Sequence, residues 1–354
     1  MPESPYVLVP RRMAEDARKT LASKNLLAEG LKPRRTDDGV AFPVRDGNEA
    51  SKVLKRAGVP HEVGVGEFES VEKGPSSLVE LLAEKLDEHP SNIPRVPFDV
   101  IGDVALVQVP PELEGHEREI AEALMEFQKG VRAVFEKGPV VGKFRIRRLK
   151  RLAGEGPPIT VHREHGYELK VDLSRCYFNP RLATERRLLA EDVVEPGDRV
   201  YDACAGVGPI AVAVSRFVDD VKIACSELNP AAYRYLLHNL ERNDVEGTAF
   251  LGDCREVAAL LNPQDVVIVN APTVSPDLVP HVVKACHEGS LLVVYRIAED
   301  PKRAEEEILS AYPNLEPVGR REVKPYSPSE SLYRLVFEVT KAPGGTRRNR
   351  PNRA

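Results

Sequence analysis

From residue 199 to about residue 311, short apolar runs alternate with helix-patterned stretches in a regular order. "RVYDACA" is followed by "PIAVAVSRF", "VKIACSE" by "NPAAYRYLLHNLERN", "GTAFLGD" by a helix near 254–261, "DVVIVNAP" by a helix near 276–287, and "GSLLVVYRI" by a helix near 300–311. Strands that recur with a helix between them pair parallel, because a parallel connection needs a crossover of about a dozen residues or more. The region therefore reads as α/β, a doubly wound Rossmann-like sheet whose ligand crevice lies outside the carboxyl ends of its strands. Two further runs, "PVGRREVKPY" and "LYRLVFEV", predict a C-terminal antiparallel hairpin.

Upstream the pattern changes to two smaller α+β modules. Residues 1–70 give "YVLVP", a helix in "AEDARKTLASKNLL", "GVAFPV" and a helix around "NEASKVLKRAG". A linker is expected at 71–76, where Gly and Pro punctuate the chain. Residues 77–178 give "FDVIGDVALVQV", the helix "HEREIAEALMEF", "VRAVFEK", a basic strand in "KFRIRRL" and the pair within "ITVHREHGYELKVDL". The sheet domain then occupies 179–341, and 342–354 reads as a basic disordered tail.

With 354 residues and 42% hydrophobic content the chain can bury more than one core. No stretch approaches the ~20 apolar residues of a membrane span, and the N-terminus lacks the charged and apolar regions of a signal peptide. A cytoplasmic protein without a membrane partner is expected. Five cysteines form no C-x-x-C pair, so neither a disulfide framework nor a metal site is expected. Thirty prolines, no Trp and 30% charged residues lean toward a hot environment. The net charge of -5 means that any nucleic acid must be met by local patches. "KFRIRRLKR" carries one and the C-terminal "TRRNRPNRA" another; the plainer reading of each is a solvated strand face and a frayed tail.

The unusual polar residues gather at strand ends. Gly206, Val207, Gly208 and Pro209 form a tight turn into a helix with free N–H groups. Asp202 precedes that turn; Glu227, followed by Leu228 and Asn229, ends the second strand and can accept ribose hydroxyls. Asp253, followed by Cys254, ends the third strand, within reach of an adenine amino group. With Ala211 the spacing also satisfies the dinucleotide pattern G-x-G-x-x-A, but an acid beside a pyrophosphate repels it. S-adenosylmethionine, with an amino group and a sulfonium, suits Asp202 better. A nicotinamide or flavin site and a purely structural acid-lined crevice stay open as alternatives. Asn270 and Pro272 in "NAP" close the fourth strand with a rigid turn that offers a donor and an acceptor to a planar heterocycle; an Asx turn is the plainer reading.

The motifs "FDVIGDVALVQVP", "GKFRIRRLKRLAGEG", "YFNPRLATER", "YDACAGVGPIAV", "SELNPAAYRYLLHNLERNDV", "GDCREV", "VIVNAP" and "VKPYSPSESLYRLVFEV" occur in this order. Together they make a chain that resembles the archaeal and eukaryotic tRNA (guanine-N1)-methyltransferases, which modify the guanosine 3′ to the anticodon. The resemblance runs to about residue 341 and implies a class I methyltransferase sheet, S-adenosylmethionine as cofactor, tRNA as partner and a monomer. It implies that the N-terminal module recognises the outer corner of the tRNA. It also implies Glu185 as general base, Arg145 as support for the guanine O6, and Asn270 and Pro272 as the target-base pocket. Lys143, Arg145, Arg147, Arg148, Lys150, Arg181 and Arg186 are the expected RNA-facing cations. Without the resemblance, Glu185 reads as one more helix-face glutamate.

The chain departs from the family pattern at Cys204, Glu227 and Ala271. The shape of the base pocket bears on the choice between N1 methylation and two wybutosine-pathway alternatives on the same fold, aminocarboxypropyl transfer and methylation of a tricyclic guanosine derivative. A non-catalytic tRNA-binding protein is the alternative outside enzymes.

Overall fold

The computed structural model describes residues 2–70 and 77–343; the expected linker at 71–76 and nearly all of the expected tail lie outside the described residues. The chain divides into two compact units, Met1–Leu81 and Leu82–Ala354.

The first unit contains β1 (Glu3–Val9), α1 (Ala14–Ser23), β2 (Arg34–Arg35), β3 (Val40–Pro43), α2 (Gly47–Arg56) and β4 (Glu62–Glu67). Its antiparallel sheet has the order β2-β3-β1-β4. Val7, Val9 and Phe42 of the sheet pack on Ala17 and Leu21 of α1 and Ala50 and Leu54 of α2. The helix expected to reach residue 27 stops at Ser23, because the chain turns at Asn25 with φ 55°. Asp46 caps α2 by accepting from the amides of Asn48 and Glu49.

After α3 (Leu78–Leu86), at which the division falls, the second unit opens with β5 (Phe98–Ile101), β6 (Val104–Val107), α4 (Glu117–Phe127), β7 (Ala133–Val141) and β8 (Ile146–Gly154). These strands form a sheet in the order β5-β6-β7-β8, with β6 and β7 parallel. "FDVIGDVALVQV" is a hairpin folded at Gly102, where φ is +56°. The basic stretch is split: residues 142–145 form a turn and β8 starts at Ile146, so Lys143 and Arg145 sit on a hairpin tip instead of a strand. The hairpin of β9 (Ile159–Glu164) and β10 (Tyr167–Asp172) and the helix α5 (Ala183–Val193) lead into the main sheet.

That sheet is built from β11 (Arg199–Asp202), β12 (Lys222–Glu227), β13 (Gly247–Leu251), β14 (Gln264–Val269), β15 (Cys286–Ala298), β16 (Leu315–Pro325) and β17 (Ser331–Val339). Its order is β13-β12-β11-β14-β15-β17-β16, parallel through β15 and antiparallel in the final hairpin. The connecting helices are α6 (Pro209–Phe217), α7 (Pro230–Arg242), α8 (Cys254–Val257), α9 (Ser275–Val282) and α10 (Pro301–Ala311). Val200, Ile268, Val293 and Tyr295 point toward the layer of α5, α6 and α7, while Tyr201, Val267, Val269 and Val294 point toward α8, α9 and α10. Both faces of β11, β12, β14 and β15 are largely buried, so these strands read as near-continuous apolar runs, whereas the edge strand β13 is partly exposed.

The two sheets of this unit share a core. Ile101, Val104 and Phe135 pack with Val171, Val207, Ala231 and Ala232. Asn239 of α7 is fully buried; its side chain accepts from the Lys170 amide at 2.8 Å and donates to the carbonyls of Lys170 (3.0 Å) and Val207 (2.8 Å). One turn on, Asn243 does the same for Glu168. Two side-chain amides thus complete the open edge of β10, which would otherwise bury unpaired backbone groups. We expect Asn239→Ala to cost about 2–4 kcal/mol, from lost bonds and backbone groups left unsatisfied; equilibrium denaturant unfolding measures it, and a loss below about 0.5 kcal/mol would sink this account of the β10 edge.

Candidate active site

The loop after β11 is set by two glycines. Gly206 has φ +58° and Gly208, the N-cap of α6, has φ +88°. A Cβ at Gly208 would lie 2.7 Å from Leu236 Cδ1, whereas one at Gly206 would meet open space. Gly208 therefore serves close packing and Gly206 borders the crevice. Val207, expected at the cofactor, points its side chain into the shared core with 0% exposure, so only its backbone is available. Pro209 fills the first position of α6, where a missing N–H costs nothing.

Asp202 ends β11 with 1% exposure, and neither carboxylate oxygen has a hydrogen-bond partner among the described residues. Burial, reinforced by the charge of Glu227 and opposed by the Cys204 amide, pushes its pKa up to about 7. A buried acid whose oxygens have no hydrogen-bond partner among the described residues is suited to a ligand that brings a positive charge. Glu227 accepts from the Gly206 amide at 2.8 Å on one oxygen and from the Asn229 amide at 2.7 Å on the other. Burial raises its pKa against these bonds, and each oxygen keeps a second lone pair for a hydroxyl. Asn229 caps α7 and donates to the Arg175 carbonyl at 2.7 Å, so its side chain is spent on structure. Leu228 is 43% exposed and offers an apolar surface beside Glu227. Asp253 caps α8 and is paired with Arg255. Cys254 is buried.

A second group of residues lies at the ends of β14 and β15. Asn270 directly follows β14, and the Pro272 carbonyl accepts from Arg296 Nη1 at 2.9 Å. Arg145, on its hairpin tip with φ +53°, donates to Thr273 Oγ1 at 3.2 Å. The small sheet thereby delivers a guanidinium to the loop that carries Asn270 and Pro272. Glu185, in the first turn of α5, is no surface residue: it is 6% exposed. It accepts from the Tyr295 hydroxyl at 2.9 Å, with Arg334 Nη1 at 3.3 Å and Arg321 Nε at 3.5 Å. Burial raises its pKa despite Arg334, Tyr295 and Arg321.

Among the expected RNA-facing cations, Lys143, Arg145, Arg147, Arg148 and Lys150 are exposed. Arg181 is also exposed and is steered by a hydrogen bond from Nε to Asp99 at 2.6 Å. Arg186 is a correction. It is 4% exposed, donates to both oxygens of Glu164 at 2.8 and 2.6 Å and lies over the Phe178 ring. Its guanidinium is spent on that pair instead of on the surface. Burial alone would raise the pKa of Glu164, but bonds from His162 and Arg186 and the Arg186 charge bring it down to about 2. The sequence reading missed Lys324, which joins Arg145, Arg147, Arg181, Lys137 and Asp99 around a cavity of about 220 Å³. It also missed Tyr295 and Arg334. For Arg334 a signal existed: it is the one basic residue inside the otherwise apolar buried run "LYRLVF".

The chain is similar to known proteins along most of its length. Residues 160–314 match the TRM5/TYW2 methyltransferase domain, residues 78–157 the TYW2 N-terminal domain, and residues 7–52 the tRNA methyltransferase 5 N-terminal domain. The chain is 30% identical over 350 residues to the tRNA (guanine(37)-N(1))-methyltransferase Trm5b of Pyrococcus abyssi, covering 94% of this chain and 98% of that relative. The crystal structure of wild-type Trm5b from Pyrococcus abyssi aligns with a TM-score of 0.71 at 29% identity, over 95% of this chain and 99% of that one. A complex of aTrm5 with tRNALeu aligns with a TM-score of 0.68 at 28% identity, over 94% and 99%.

The lone Asp202 has a measurable consequence. The folded chain keeps its proton up to about pH 7, whereas the unfolded chain releases it near the ordinary value of 3.8, so this residue erodes stability as pH rises between the two. Asp202→Asn should leave stability unchanged near pH 4 and raise it by about 2–4 kcal/mol near pH 8, without ligand. Denaturant unfolding at both pH values checks this, and an equal effect at the two would remove the assignment.

Proposed function

The chain belongs to the Trm5 family of tRNA (guanine(37)-N(1))-methyltransferases, and from that premise we propose how its residues divide the work. The reaction is S-adenosylmethionine-dependent methylation of N1 of guanosine 37 in tRNA. The cofactor, when bound, supplies an electrophilic methyl group on a sulfonium sulfur. Asp202 balances its positive charge, Glu227 holds the ribose hydroxyls, and the backbone from Gly206 to Pro209 lines the approach. Leu228 and the Asp253–Cys254 turn flank the heterocycle, the latter with Asp253 already paired to Arg255.

Guanine N1 carries a proton that must leave before the nitrogen can attack. Glu185 accepts it. A carboxylate whose proton affinity is raised by burial is a better base than an exposed one, and Tyr295 fixes its orientation. As N1 loses its proton, negative charge grows on O6, where the Arg145 guanidinium meets it. Asn270 offers donor and acceptor to the base edge and Pro272 keeps the turn rigid. Arg147, Arg148, Lys150, Lys143 and Arg181 hold phosphates and set register without reading sequence. Residues 1–70 recognise the outer corner of the tRNA in this reading, and the enzyme works as a monomer in the cytoplasm. The observation that carries the mechanism is the burial of Glu185 with a hydroxyl donor and two cations around it.

The match of residues 78–157 to the TYW2 N-terminal domain favours one alternative, transfer of the aminocarboxypropyl group. The mass of nucleosides from treated tRNA separates the two, since N1 methylation adds a single methyl group.

Glu185→Gln keeps size and hydrogen bonding but cannot take the proton. Single-turnover methylation should fall roughly 10²- to 10⁴-fold while cofactor and tRNA affinities stay within about twofold. Because burial raises the pKa of Glu185, the wild-type rate should rise with pH above the usual carboxylate range and then level off. The variant should lose that limb. A variant within about threefold of wild type would remove Glu185 from the mechanism.

A further inference from the structure

Three partners of Glu185 stand in one row. Tyr295 of β15 pairs with Arg334 of β17, and Arg334 pairs with Arg321 of β16, so three adjacent strands present a tyrosine and two arginines to the same carboxylate. The nearest arginine gives Glu185 charge without a hydrogen bond. Arg334 Nη1 lies 3.3 Å from Glu185 Oε1 yet is buried with no hydrogen-bond partner among the described residues. Its Nη2 donates instead to Asp192 Oδ2 at 2.7 Å. Asp192 follows Glu185 on α5 by seven residues, two turns along the same face. Its side chain is 45% exposed, against 6% for that of Glu185. One buried guanidinium therefore serves two acids, and its directed bond goes to the one outside the reaction.

We propose that Asp192 is a positioning residue for catalysis: by holding Arg334 it prevents a full ion pair between Arg334 and Glu185, and so keeps Glu185 able to take the N1 proton. The proposal rests on Glu185 being the base. A carboxylate gripped by a bidentate arginine is a poor proton acceptor, because protonation must break the pair. A buried carboxylate with no cation nearby would itself be protonated at neutral pH. Glu185 lies between these limits, with one hydroxyl donor and two cations held beyond hydrogen-bond geometry. Burial and Asp192 raise its proton affinity, while Arg334, Tyr295 and Arg321 lower it. Of the other charged residues on α5, Arg186 is committed to Glu164 and faces the β9–β10 hairpin, and Arg187 and Glu191 pair with each other.

The test uses the full chain, saturating cofactor and an unmodified tRNA transcript, with single-turnover rates measured across the pH limb. Asp192→Asn should move the limb to lower pH by about one unit, because removing a nearby negative charge and freeing Arg334 both favour the Glu185 carboxylate. Asp192→Glu should return it toward wild type. Tyr295→Phe, which removes a donor to the charged form, should move it to higher pH. Glu185→Gln in the same assay reports on the base itself. If that variant loses the limb while Asp192→Asn leaves the midpoint in place or raises it, the role of Asp192 is overturned and the base assignment survives. A uniform drop in rate with an unmoved midpoint is the signature of a merely structural role and overturns it equally. A limb that persists in Glu185→Gln overturns the base assignment and this proposal with it.

Discussion

The constraint on which the rest of the structure depends is that four of the five parallel strands, β11, β12, β14 and β15, are buried along most of their length. Val200, Ile268 and Val293 on one side and Tyr201, Val267 and Val294 on the other make the middle of the parallel sheet apolar on both faces. Polar chemistry is pushed to where the strands end. Asp202, Glu227 and Asn270 sit at or just beyond the carboxyl ends of three adjacent strands, because parallel pairing brings those ends together. The same rule explains why two exceptions in the strands beyond β14 are tied down. Tyr295 and Arg334 are buried polar side chains in strands, and both are spent on Glu185 and its neighbour Asp192.

Two adjacent residues of α5 show how position on a helix divides function from support. Glu185 and Arg186 point in different directions, since successive helix residues are about 100° apart. Glu185 meets the end of the main sheet; Arg186 turns to the β9–β10 hairpin and pairs with Glu164, which also accepts from Tyr167 at 2.7 Å. That buried pair fixes the first turn of α5 on a different face from Glu185. Breaking a buried ion pair leaves an uncompensated charge, so the hold is strong even though forming it gained little. The proposed base thus stands on a helix turn that its neighbour anchors.

Much of this was legible in the sequence, and what was not has a physical reason. The βα alternation, the Asn229 cap and the proline at the first position of α7 are local signals, and local signals survive without tertiary contacts. The acids at the strand ends were legible because the topology follows from the alternation. Arg186 was misread because "ERR" looks like a charged surface; only Glu164, in a hairpin some twenty residues earlier, makes its burial tolerable. Tyr295 and Arg321 are apart from Glu185 by more than a hundred residues, and their meeting depends on register across β15, β17 and β16. A register is a property of paired strands, and the residues of one strand do not state it. The turn at 142–145, by contrast, was hidden by its own composition: a run of cations looks like a strand face, yet Gly142 and a left-handed Arg145 bend it.

Asp202 and Glu185 are both buried acids with raised proton affinity, yet their surroundings suit them to opposite tasks. Asp202 has no partner and no arginine or lysine paired with it among the described residues, so the charge that would compensate its desolvation has to arrive with a ligand. Glu185 has its compensation built in, in the form of a hydroxyl and two cations, none at full strength. Exchange the two environments and both proposed roles would fail. With the arginines of Glu185 around it, Asp202 would be satisfied without a ligand, and those arginines would repel a sulfonium. Left bare like Asp202, Glu185 would carry a proton at neutral pH and could take none from guanine. The distribution of cations between the two acids therefore says as much about the chemistry as the acids do: the one kept free of them awaits a positive charge, and the one surrounded but not gripped by them is held ready to lose its own negative charge.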